Sequence, residues 1–552
     1  MTGLSWLPFI ETRALYCSKQ GSFIVMEKRD LRGILFRHLD GIVTLPVLVE
    51  LHRARMLHFL IDVGECDLDL LTKKFNANKG YLNVALRVLA SQGFLIYKAD
   101  SGISVVKTAK LEWAINHIKA LYDVMDLLQF SQSFHNRIFE KAPFMKLVPL
   151  LDSYEKEVFF REETVHKEWA EQLSTYVEGC LVGPTIVKLG MSGMFHKYFM
   201  EASFKAEEFH KDPESFGRLL DFLKYLGWFT KKGANYQFTD KGLFFARRAS
   251  SYGVTVSYLP MLSQMKRLLF DNAEKIRSDD GGMHEIHVDR AMNVWGSGGA
   301  HAVYFKTLDD FIIDIFNKPL EEQPKGILDM GCGNGALLQH LYDTIEHRTL
   351  RGRNLETHPL FLVGADYNQE ALKITRANLI ANDIWAKVIW GDIGNPEKLA
   401  GDLREDYAIE LGDLLNMRTF LDHNRMWQQP DLTTGLPEST SSGAYADKGR
   451  YLPNEWVEQS LVEHLRKWKP FIVKFGLLVI ELHTLLPEKT AANLGKTAAT
   501  AYDATHGFSD QFILELEVFE KCIKRAGLTI NEKYSRKFPD NDLANVSIHL
   551  IQ

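Results

Sequence analysis

The sequence lacks several features that would place the protein in a special class. It has five cysteines in 552 residues, and no two of them form a Cys-x-x-Cys pair. Such scattered cysteines argue against a disulfide framework and against a structural zinc site, so we expect the reducing cytoplasm. No apolar run is long enough to cross a membrane, and the best candidate, residues 471–480, is interrupted by Lys474.

The composition is that of an ordinary globular protein. A hydrophobic content of 46% and a charged content of 25% are typical of that class. The net charge of −6 argues against a surface that binds nucleic acid generally. A chain of this length exceeds a single core, so several domains are expected. We expect an extension without assigned structure at 1–25, a winged-helix-like and helical module at 26–150, a second winged-helix-like module at 151–285, and a catalytic domain at 286–552.

Two segments before the catalytic domain resemble each other. Residues 86–95 and 220–229 each show an amphipathic helix that is stopped by glycine and followed by a strand with aromatic residues. Helix, glycine and hairpin is the pattern of a winged helix. The helices that would read DNA hold mainly Leu, Val, Phe and Tyr, so DNA binding by these modules is disfavoured. The acidic and glycine-rich run at 279–282 marks the boundary to the catalytic domain.

The most informative stretch is residues 327–335, Ile-Leu-Asp-Met-Gly-Cys-Gly-Asn-Gly. It predicts a buried strand that ends in a glycine-rich turn, with a helix opening behind it. Glycine lets a ligand approach the backbone closely, and the helix N-terminus offers free N–H groups. The alternative is a dinucleotide-binding domain, which fits less well because the turn is not Gly-x-Gly-x-x-Gly.

Two further strands end in carboxylates. The second predicted strand ends at Asp366, which can accept both hydroxyls of a ribose, and the third leads to Asp392, which can accept an adenine amino group. Three strand ends in this order resemble the S-adenosylmethionine site of class I methyltransferases. The resemblance implies an α/β, Rossmann-like fold with a mostly parallel seven-stranded sheet, preceded by the helical region with two winged-helix-like modules. The expected cofactor residues are Asp329, Gly331, Gly333, Asn334, Gly335, Asp366, Tyr367, Asp392, Ile393, Gly298, Gly299, Tyr304 and Arg418.

The stretch at 295–301 contains three glycines, which indicates a flexible loop. A plain linker is the alternative. Because the loop precedes the catalytic domain closely, we expect it to fold over the methionine end of the cofactor, with Tyr304 beside it.

Several histidines follow the fourth and fifth predicted strands. We expect Asp422, His423, His483 and His506 to meet in one crevice, together with Gln511, because ligands bind at the carboxyl ends of parallel strands. Imidazole and oxygen ligands suit Fe(II), Mn(II) or a similar metal, which could stabilise an enolate. The alternative is a site without metal, in which His423 is the general base.

A narrower resemblance rests on residues 418–425, 442–445, 481–483, 505–511 and 296–301. These segments are similar to the methyltransferase family of polyketide loading modules, whose best-known type is the mononuclear-iron C-methyltransferase of the apratoxin starter unit. The resemblance implies metal-assisted C-methylation of a malonyl-like or other enolisable acid, with Fe(II)/Fe(III) or Mn(II). Its implied metal ligands are His423 and Gln511, then His506 and Asp422.

The implied partners follow from what the chain does not carry. It has no carrier-protein Asp-Ser-Leu motif, so a carrier-bound acyl substrate would require a separate acyl carrier protein. We also expect a homodimer, no membrane contact, and a lid-like insertion near 424–470 that closes over the site. Two other functions stay open: a metal-free O- or N-methyltransferase of a small molecule with a histidine base, and an S-adenosylmethionine-binding regulator associated with DNA.

Overall fold

The computed structural model describes residues 14–17, 23–99, 102–129, 141–156, 165–210, 212–276 and 285–552. The predicted boundary at 279–282 lies outside these residues. The segment 1–25, expected to lack assigned structure, contributes Ala14–Cys17, which pairs antiparallel with Phe23–Met26. Part of the extension is therefore an antiparallel pair of strands.

The helices before the catalytic domain are, in chain order, α1 (Lys28–Arg53), α2 (Met56–Val63), α3 (Leu68–Phe75), α4 (Lys79–Ser91), α5 (Ala109–Ala114), α6 (Tyr122–Gln129), α7 (Lys141–Glu155), α8 (Lys167–Met191), α9 (Lys197–Glu201), α10 (Ala206–Phe209), α11 (Pro213–Tyr225), α12 (Asp240–Ala246), α13 (Ser250–Ser257), α14 (Leu259–Leu262) and α15 (Met265–Phe270). The later helices are α16 (Arg290–Phe316), α17 (Ala336–Arg348), α18 (Gln369–Ala381), α19 (Pro396–Tyr407), α20 (Asn454–Ile472), α21 (Pro487–Ala491), α22 (Ala499–Gly507) and α23 (Leu516–Arg525).

The strands are β1 (Ala14–Cys17), β2 (Phe23–Met26), β3 (Glu65–Asp67), β4 (Leu95–Lys98), β5 (Ser104–Lys107), β6 (Phe229–Lys232), β7 (Asn235–Phe238), β8 (Gly326–Met330), β9 (Phe361–Asp366), β10 (Lys387–Trp390), β11 (Leu414–Thr419), β12 (Tyr445–Asp447), β13 (Arg450–Leu452), β14 (Leu477–Leu482), β15 (Ile530–Phe538) and β16 (Val546–Ile551).

The catalytic domain is built on a seven-stranded sheet in the order β10-β9-β8-β11-β14-β16-β15. Strands β8 to β11 and β14 pair in parallel, and β16 runs antiparallel between β14 and β15. The central strands β8 and β14 are buried at every position, because helices cover both faces of a parallel sheet. From β8 the chain adds β9 and β10 on one side of the sheet, and then β11 and β14 on the other side. This change of side opens a crevice at the carboxyl ends of β8 and β11. The predicted fold class is confirmed.

Helix α1 is the centre of the region before the sheet. Its residues 38–49 are buried on all sides, which an amphipathic surface helix would not be. It crosses α8 through two glycines: a Cβ on Gly41 would lie 2.4 Å from Cα of Tyr176, and a Cβ on Gly179 would lie 2.5 Å from the carbonyl oxygen of His38. The two backbones are therefore in direct contact, and this core supports the winged-helix modules on either side.

The first winged-helix module turns its recognition helix inward. Strands β3, β5 and β4 form a three-stranded sheet beside α2, α3 and α4. In α4, residues 80–91 are all buried, and a Cβ on Gly80 would lie 2.5 Å from the carbonyl oxygen of Arg450 in the catalytic domain. A helix packed in this way cannot enter a DNA groove, so the structure gives this module a packing role.

The segment near 424–470, expected to be a lid-like insertion, is packed on the rest of the chain, and its closing over the site stays a prediction. The segment contains the β12–β13 hairpin, which packs on α4, and the regular helix α20, which covers one face of the sheet. The segment is held by buried partners such as Glu515, which accepts a hydrogen bond from the hydroxyl of Ser441 and another from the backbone N–H of Ser442. In the described parts of the chain, no helix is both long enough and apolar enough to span a bilayer.

Candidate active site

The glycine-rich turn follows β8 as predicted. Gly331, Gly333 and Gly335 have φ angles of +85°, +56° and +80°, which side chains with a Cβ rarely adopt. The N–H of Gly331 donates to the carbonyl of Ala365 at 2.7 Å, which ties the turn to the neighbouring strand β9. Helix α17 begins directly behind the turn, so its free N–H groups face the crevice.

Two carboxylates lie beside the turn in different environments. Asp366 at the end of β9 accepts the N–H of Gly333 at 3.0 Å and that of Asn368 at 2.8 Å, and each oxygen keeps a lone pair for a ligand hydroxyl. Asp329 is buried, and one of its oxygens has no hydrogen-bond partner among the described residues. Burial and the nearby charge of Asp366 raise the pKa of Asp329 to about 7.

The third strand completes the cofactor edge. Asp392 follows β10 and accepts the N–H of Gly394 at 2.8 Å, while the rings of Tyr367 and Trp390 lie 5.5 Å apart as an aromatic wall. The side chain of Asn334 accepts the N–H of Ala336, the first residue of α17, at 3.1 Å. The remaining predicted residue here, Ile393, is buried next to Asp392. The structure therefore brings the residues predicted from β8, β9 and β10 to one edge, and their individual contacts to the cofactor stay predictions.

Next to the cofactor edge, a cavity of about 240 Å³ lies between the carboxyl ends of β11 and β14 and the helices before the sheet. Its walls come from both regions: Val254, Tyr258, Arg290, Asn293, Ser297, Tyr304, Thr419, Phe420, His423, Asn424, Leu482, Tyr502, His506, Gln511 and Val546. We call it the acceptor cavity. It contains three of the residues predicted for catalysis or metal binding, His423, His506 and Gln511, and they come from two separate segments of the chain.

His423 lies in the wall of the acceptor cavity and is oriented by a buried carboxylate. Its Nδ1 is 2.5 Å from Oε1 of Glu481, at the end of β14. Glu481 also accepts the backbone N–H groups of Asp422, His423 and Leu482 at 2.9, 3.3 and 2.7 Å. Since a carboxylate only accepts, Nδ1 carries the proton in the neutral ring, and the lone pair of Nε2 is left for the cavity.

His506 shows the same orientation. Its Nδ1 donates to the carbonyl of Tyr502 at 2.7 Å, and its ring centroid lies 5.0 Å from that of His423. Burial and the charge of His423 lower the pKa of His506 to about 3, so the ring is neutral with its Nε2 lone pair available. Gln511 donates through Nε2 to Tyr258 and Ser509 at 3.2 and 3.1 Å, which leaves its amide oxygen for a ligand.

Asp422 does not line the acceptor cavity, unlike His423 beside it. Its side chain forms a buried ion pair with Arg418 at 2.5 Å and lies 3.2 Å from His464 of α20. Arg418, predicted to contact the cofactor, is fully enclosed in the same cluster with its guanidinium 4.1 Å from the ring of Trp468. The reason is local: Asp422–Asn424 form a 3-10 turn, which directs consecutive side chains to different sides.

His483 is also not at the acceptor cavity. Its Nδ1 donates to the carbonyl of Leu514 at 3.2 Å, and its Nε2 accepts from the hydroxyl of Ser547 at 2.7 Å. Burial lowers the pKa of His483 to about 3. With both ring nitrogens bonded inside the protein, this histidine has a structural role rather than the predicted catalytic one.

The predicted flexible loop at 295–301 is part of helix α16. A Cβ on Gly253 would lie 2.6 Å from Cα of Gly296. The absence of a side chain at Gly296 therefore allows α13 and α16 to cross in close contact. Gly298 and Gly299 continue the helix and do not form a strand-end loop over the cofactor. Tyr304 lies farther along the same helix and packs against Phe420, in the acceptor cavity.

Sequence reasoning missed Glu481 and the contribution of the first half of the chain. Glu481 stands two residues before His483 in β14, and no motif marks it as a partner of His423. Tyr258 and Arg290 carry no motif, since their position depends on how α13 and α16 pack. Within the part of the chain that the structure describes, no group of three or more His, Cys, Asp or Glu side chains is arranged to hold a metal ion.

Comparison with known families agrees with this geometry. Residues 285–549 match the model described as the AprA MT2-like domain, and residues 178–272 and 31–97 match the AprA winged helix domain and the AprA N-terminal domain. The chain is an S-adenosylmethionine-dependent methyltransferase. The winged helix model covers the second of the two predicted modules of this methyltransferase. No curated protein matched the sequence.

Several solved structures are similar to the methyltransferase. The mitomycin 7-O-methyltransferase MmcR is 11% identical with a TM-score of 0.42, over 70% of this chain and 98% of that one. An O-methyltransferase family protein from Burkholderia thailandensis is 11% identical with a TM-score of 0.39, over 70% and 98%. LepI, solved with S-adenosylmethionine, is 12% identical with a TM-score of 0.36, over 80% and 100%.

Proposed function

We propose that the methyltransferase transfers the methyl group of S-adenosylmethionine to a small molecule held in the acceptor cavity, with His423 as general base. The observation that carries the proposal is the contact between His423 Nδ1 and Glu481 at 2.5 Å. It fixes the tautomer in which Nε2 accepts a proton. An oriented imidazole of this kind typically contributes about 10²–10⁴-fold to a rate.

The reaction needs an acceptor that loses a proton as it gains the methyl group. Nε2 of His423 takes this proton, and the carboxylate of Glu481 stabilises the imidazolium that forms. The apolar side chains of Phe420, Leu482 and Val546 line the same cavity and exclude water from the transfer. The methyl donor is positioned by the glycine-rich turn after β8, so the chain's own residues supply positioning and proton transfer.

Metal-assisted C-methylation of a malonyl-like acid is a second candidate, favoured by one specific observation. His423 and His506 each bond through Nδ1 to an acceptor inside the protein, which is how metal-binding histidines are usually oriented. Their Nε2 atoms, with the amide oxygen of Gln511, form a donor set that fits Fe(II) or Mn(II) and leaves positions open for substrate. When bound, the ion would supply positive charge that polarises a carbonyl. Asp422 is no longer a member of this set.

Both candidates are tested by transfer of a labelled methyl group to two acceptors. Malonyl-pantetheine serves as the carbon acid and salicylate as the phenol. In both candidates, His423→Ala should lower the transfer rate about 10²-fold or more while binding of S-adenosylhomocysteine is kept. His549→Ala is the matched control, because His549 is equally buried but bonds to Ser535 on β15. Equal rates for His423→Ala and wild type would refute the proposal.

A chelator and metal analysis then decide between base and metal. If metal supports the reaction, EDTA should abolish transfer to malonyl-pantetheine, and His506→Ala and Gln511→Ala should each lose bound iron or manganese. If His423 acts alone, transfer should persist in EDTA. The separate acyl carrier protein and the homodimer stay predictions, which sedimentation of the protein with and without a malonyl carrier protein would test.

A further inference from the structure

We infer that Arg290 is the specificity-determining residue of the acceptor cavity, and that the acceptor carries an oxyanion, a carboxylate or a phosphate, which this side chain binds. The inference rests on the proposed function, because it takes the cavity beside His423 as the place where the acceptor binds.

The described residues that line the acceptor cavity include a positively charged side chain and no carboxylate. Arg290 lines it together with fourteen other residues, and none of the described lining residues is a carboxylate. The remaining polar lining groups are hydroxyls, amides and the imidazoles of His423 and His506. A permanent cation at the edge of a cavity with no carboxylate among its described lining residues makes the local potential positive and attracts an anion. A neutral or cationic acceptor would gain nothing from this arrangement.

The helix places Arg290 on the face that the acceptor contacts. Arg290 is the first residue of α16, and Asp289 is the N-cap, whose side chain accepts the N–H of Met292. Asn293 and Ser297 follow at spacings of three and seven residues, so they share a helix face with Arg290 and line the same cavity. Asn293 donates to the hydroxyl of Ser257 and Ser297 donates to the carbonyl of Val294, so Arg290 is the residue of this helix face that supplies positive charge to the cavity.

The present partner of Arg290 is a carboxylate that the acceptor can replace. The Nε and Nη2 atoms of Arg290 lie 2.9 and 2.7 Å from the two oxygens of Glu285. Both side chains are about half exposed, at 46% and 48%. Exposed ion pairs contribute little to stability, so exchanging Glu285 for an acceptor anion costs little. The fork of the guanidinium already has the bidentate geometry that a carboxylate or phosphate requires.

Anion binding without catalysis tests the inference. Malonate and inorganic phosphate are titrated calorimetrically into protein saturated with S-adenosylhomocysteine, and dimethyl malonate serves as the neutral probe. We expect Arg290→Gln to weaken binding of at least one anion about tenfold or more, and Arg290→Lys to restore only part of it. Glu285→Gln should tighten the same anion, because the internal competitor is removed. Dimethyl malonate should respond to none of these changes.

Arg267→Gln is the matched control, since Arg267 is an exposed arginine on α15 that contacts Gln264 and does not line the cavity. The tighter of the two anions shows whether a carboxylate or a phosphate is recognised. The inference is overturned if neither anion binds wild type more tightly than Arg290→Gln, or if Arg267→Gln has the same effect. The proposed function fails separately, when His423→Ala keeps its transfer rate, because the anion titration does not depend on His423 as a base.

Discussion

Replacing Glu481 by glutamine should damage methyl transfer far more than any comparable buried substitution. Glu481 accepts four hydrogen bonds: Oε1 receives the His423 ring and the N–H of Leu482, and Oε2 receives the N–H groups of Asp422 and His423. Glutamine keeps the shape but has only one oxygen. In either orientation of the amide, two donors then face its NH₂ group and lose their acceptor.

The expected magnitudes follow from this count. Each buried donor without an acceptor costs about 1–3 kcal/mol, so Glu481→Gln should lower the free energy of unfolding by about 2–6 kcal/mol. The turnover number should fall further than stability explains, by about 10²–10⁴-fold, because the His423 ring loses the group that fixes its tautomer. Affinity for S-adenosylhomocysteine should be unchanged, since Glu481 lies outside the cofactor edge.

Labelled-methyl transfer measures the turnover number, thermal unfolding measures the stability, and calorimetry measures the affinity for S-adenosylhomocysteine, while ¹⁵N NMR reports the tautomer of His423. Glu515→Gln is the control, because Glu515 is also a buried carboxylate and accepts three hydrogen bonds from Ser441 and Ser442, but lies away from His423. It should lose stability and keep turnover per folded molecule. A Glu481→Gln protein with turnover within threefold of the Glu515→Gln control would show that the pair of His423 and Glu481 is not catalytic.

Three further outcomes are expected. Asp366→Ala should weaken S-adenosylhomocysteine by about 1.5–3 kcal/mol in calorimetry, the range for hydrogen bonds to a charged acceptor, and unchanged affinity would contradict the ribose assignment. Gly253→Ala should lower the thermal midpoint by the equivalent of about 1–3 kcal/mol, because its Cβ would meet the backbone of Gly296 at 2.6 Å. Gly298→Ala, with open space around its Cβ, should be neutral or stabilising by up to about 1 kcal/mol, and equal losses in both variants would refute the helix crossing. Asp329 keeps its proton in the folded chain to about pH 7 but releases it near pH 3.8 when unfolded, so its contribution to stability is present below pH 3.8 and is lost as the pH rises through 7. Asp329→Asn should therefore gain urea resistance relative to wild type between pH 5 and pH 8, and a constant difference would be inconsistent with the raised pKa.

The cofactor edge was predictable because it is local. A buried strand followed by glycines with positive φ, and then by a helix, is set by neighbouring residues in the sequence, so Gly331 and Gly335 were identified from the chain alone. The ends of β9 and β10 could be added by the rule that parallel strands meet at one edge. Asp366 and Asp392 lie where that rule puts them.

Helix α16 shows where local reasoning fails. Three glycines within 295–301 indicate a loop by propensity, but the small side chains let α13 approach Gly296 directly, and the packing gained outweighs the weak propensity. The same limit applies to the neighbours Asp422 and His423. Both residues follow β11. Only the 3-10 turn decides that Asp422 pairs with Arg418 while His423 lines the acceptor cavity.

The sequence by itself determined the fold class, the cofactor edge and the presence of His423, His506 and Gln511 near one site, since strand order and glycine turns depend on short-range patterns. The tertiary structure alone decided that Glu481 orients His423, that His483 is structural, and that α13 and α16 supply Tyr258 and Arg290 to the acceptor cavity. The physical reason is that a side chain's direction at a strand end, and the approach of two helices distant in sequence, are fixed by packing across the whole core.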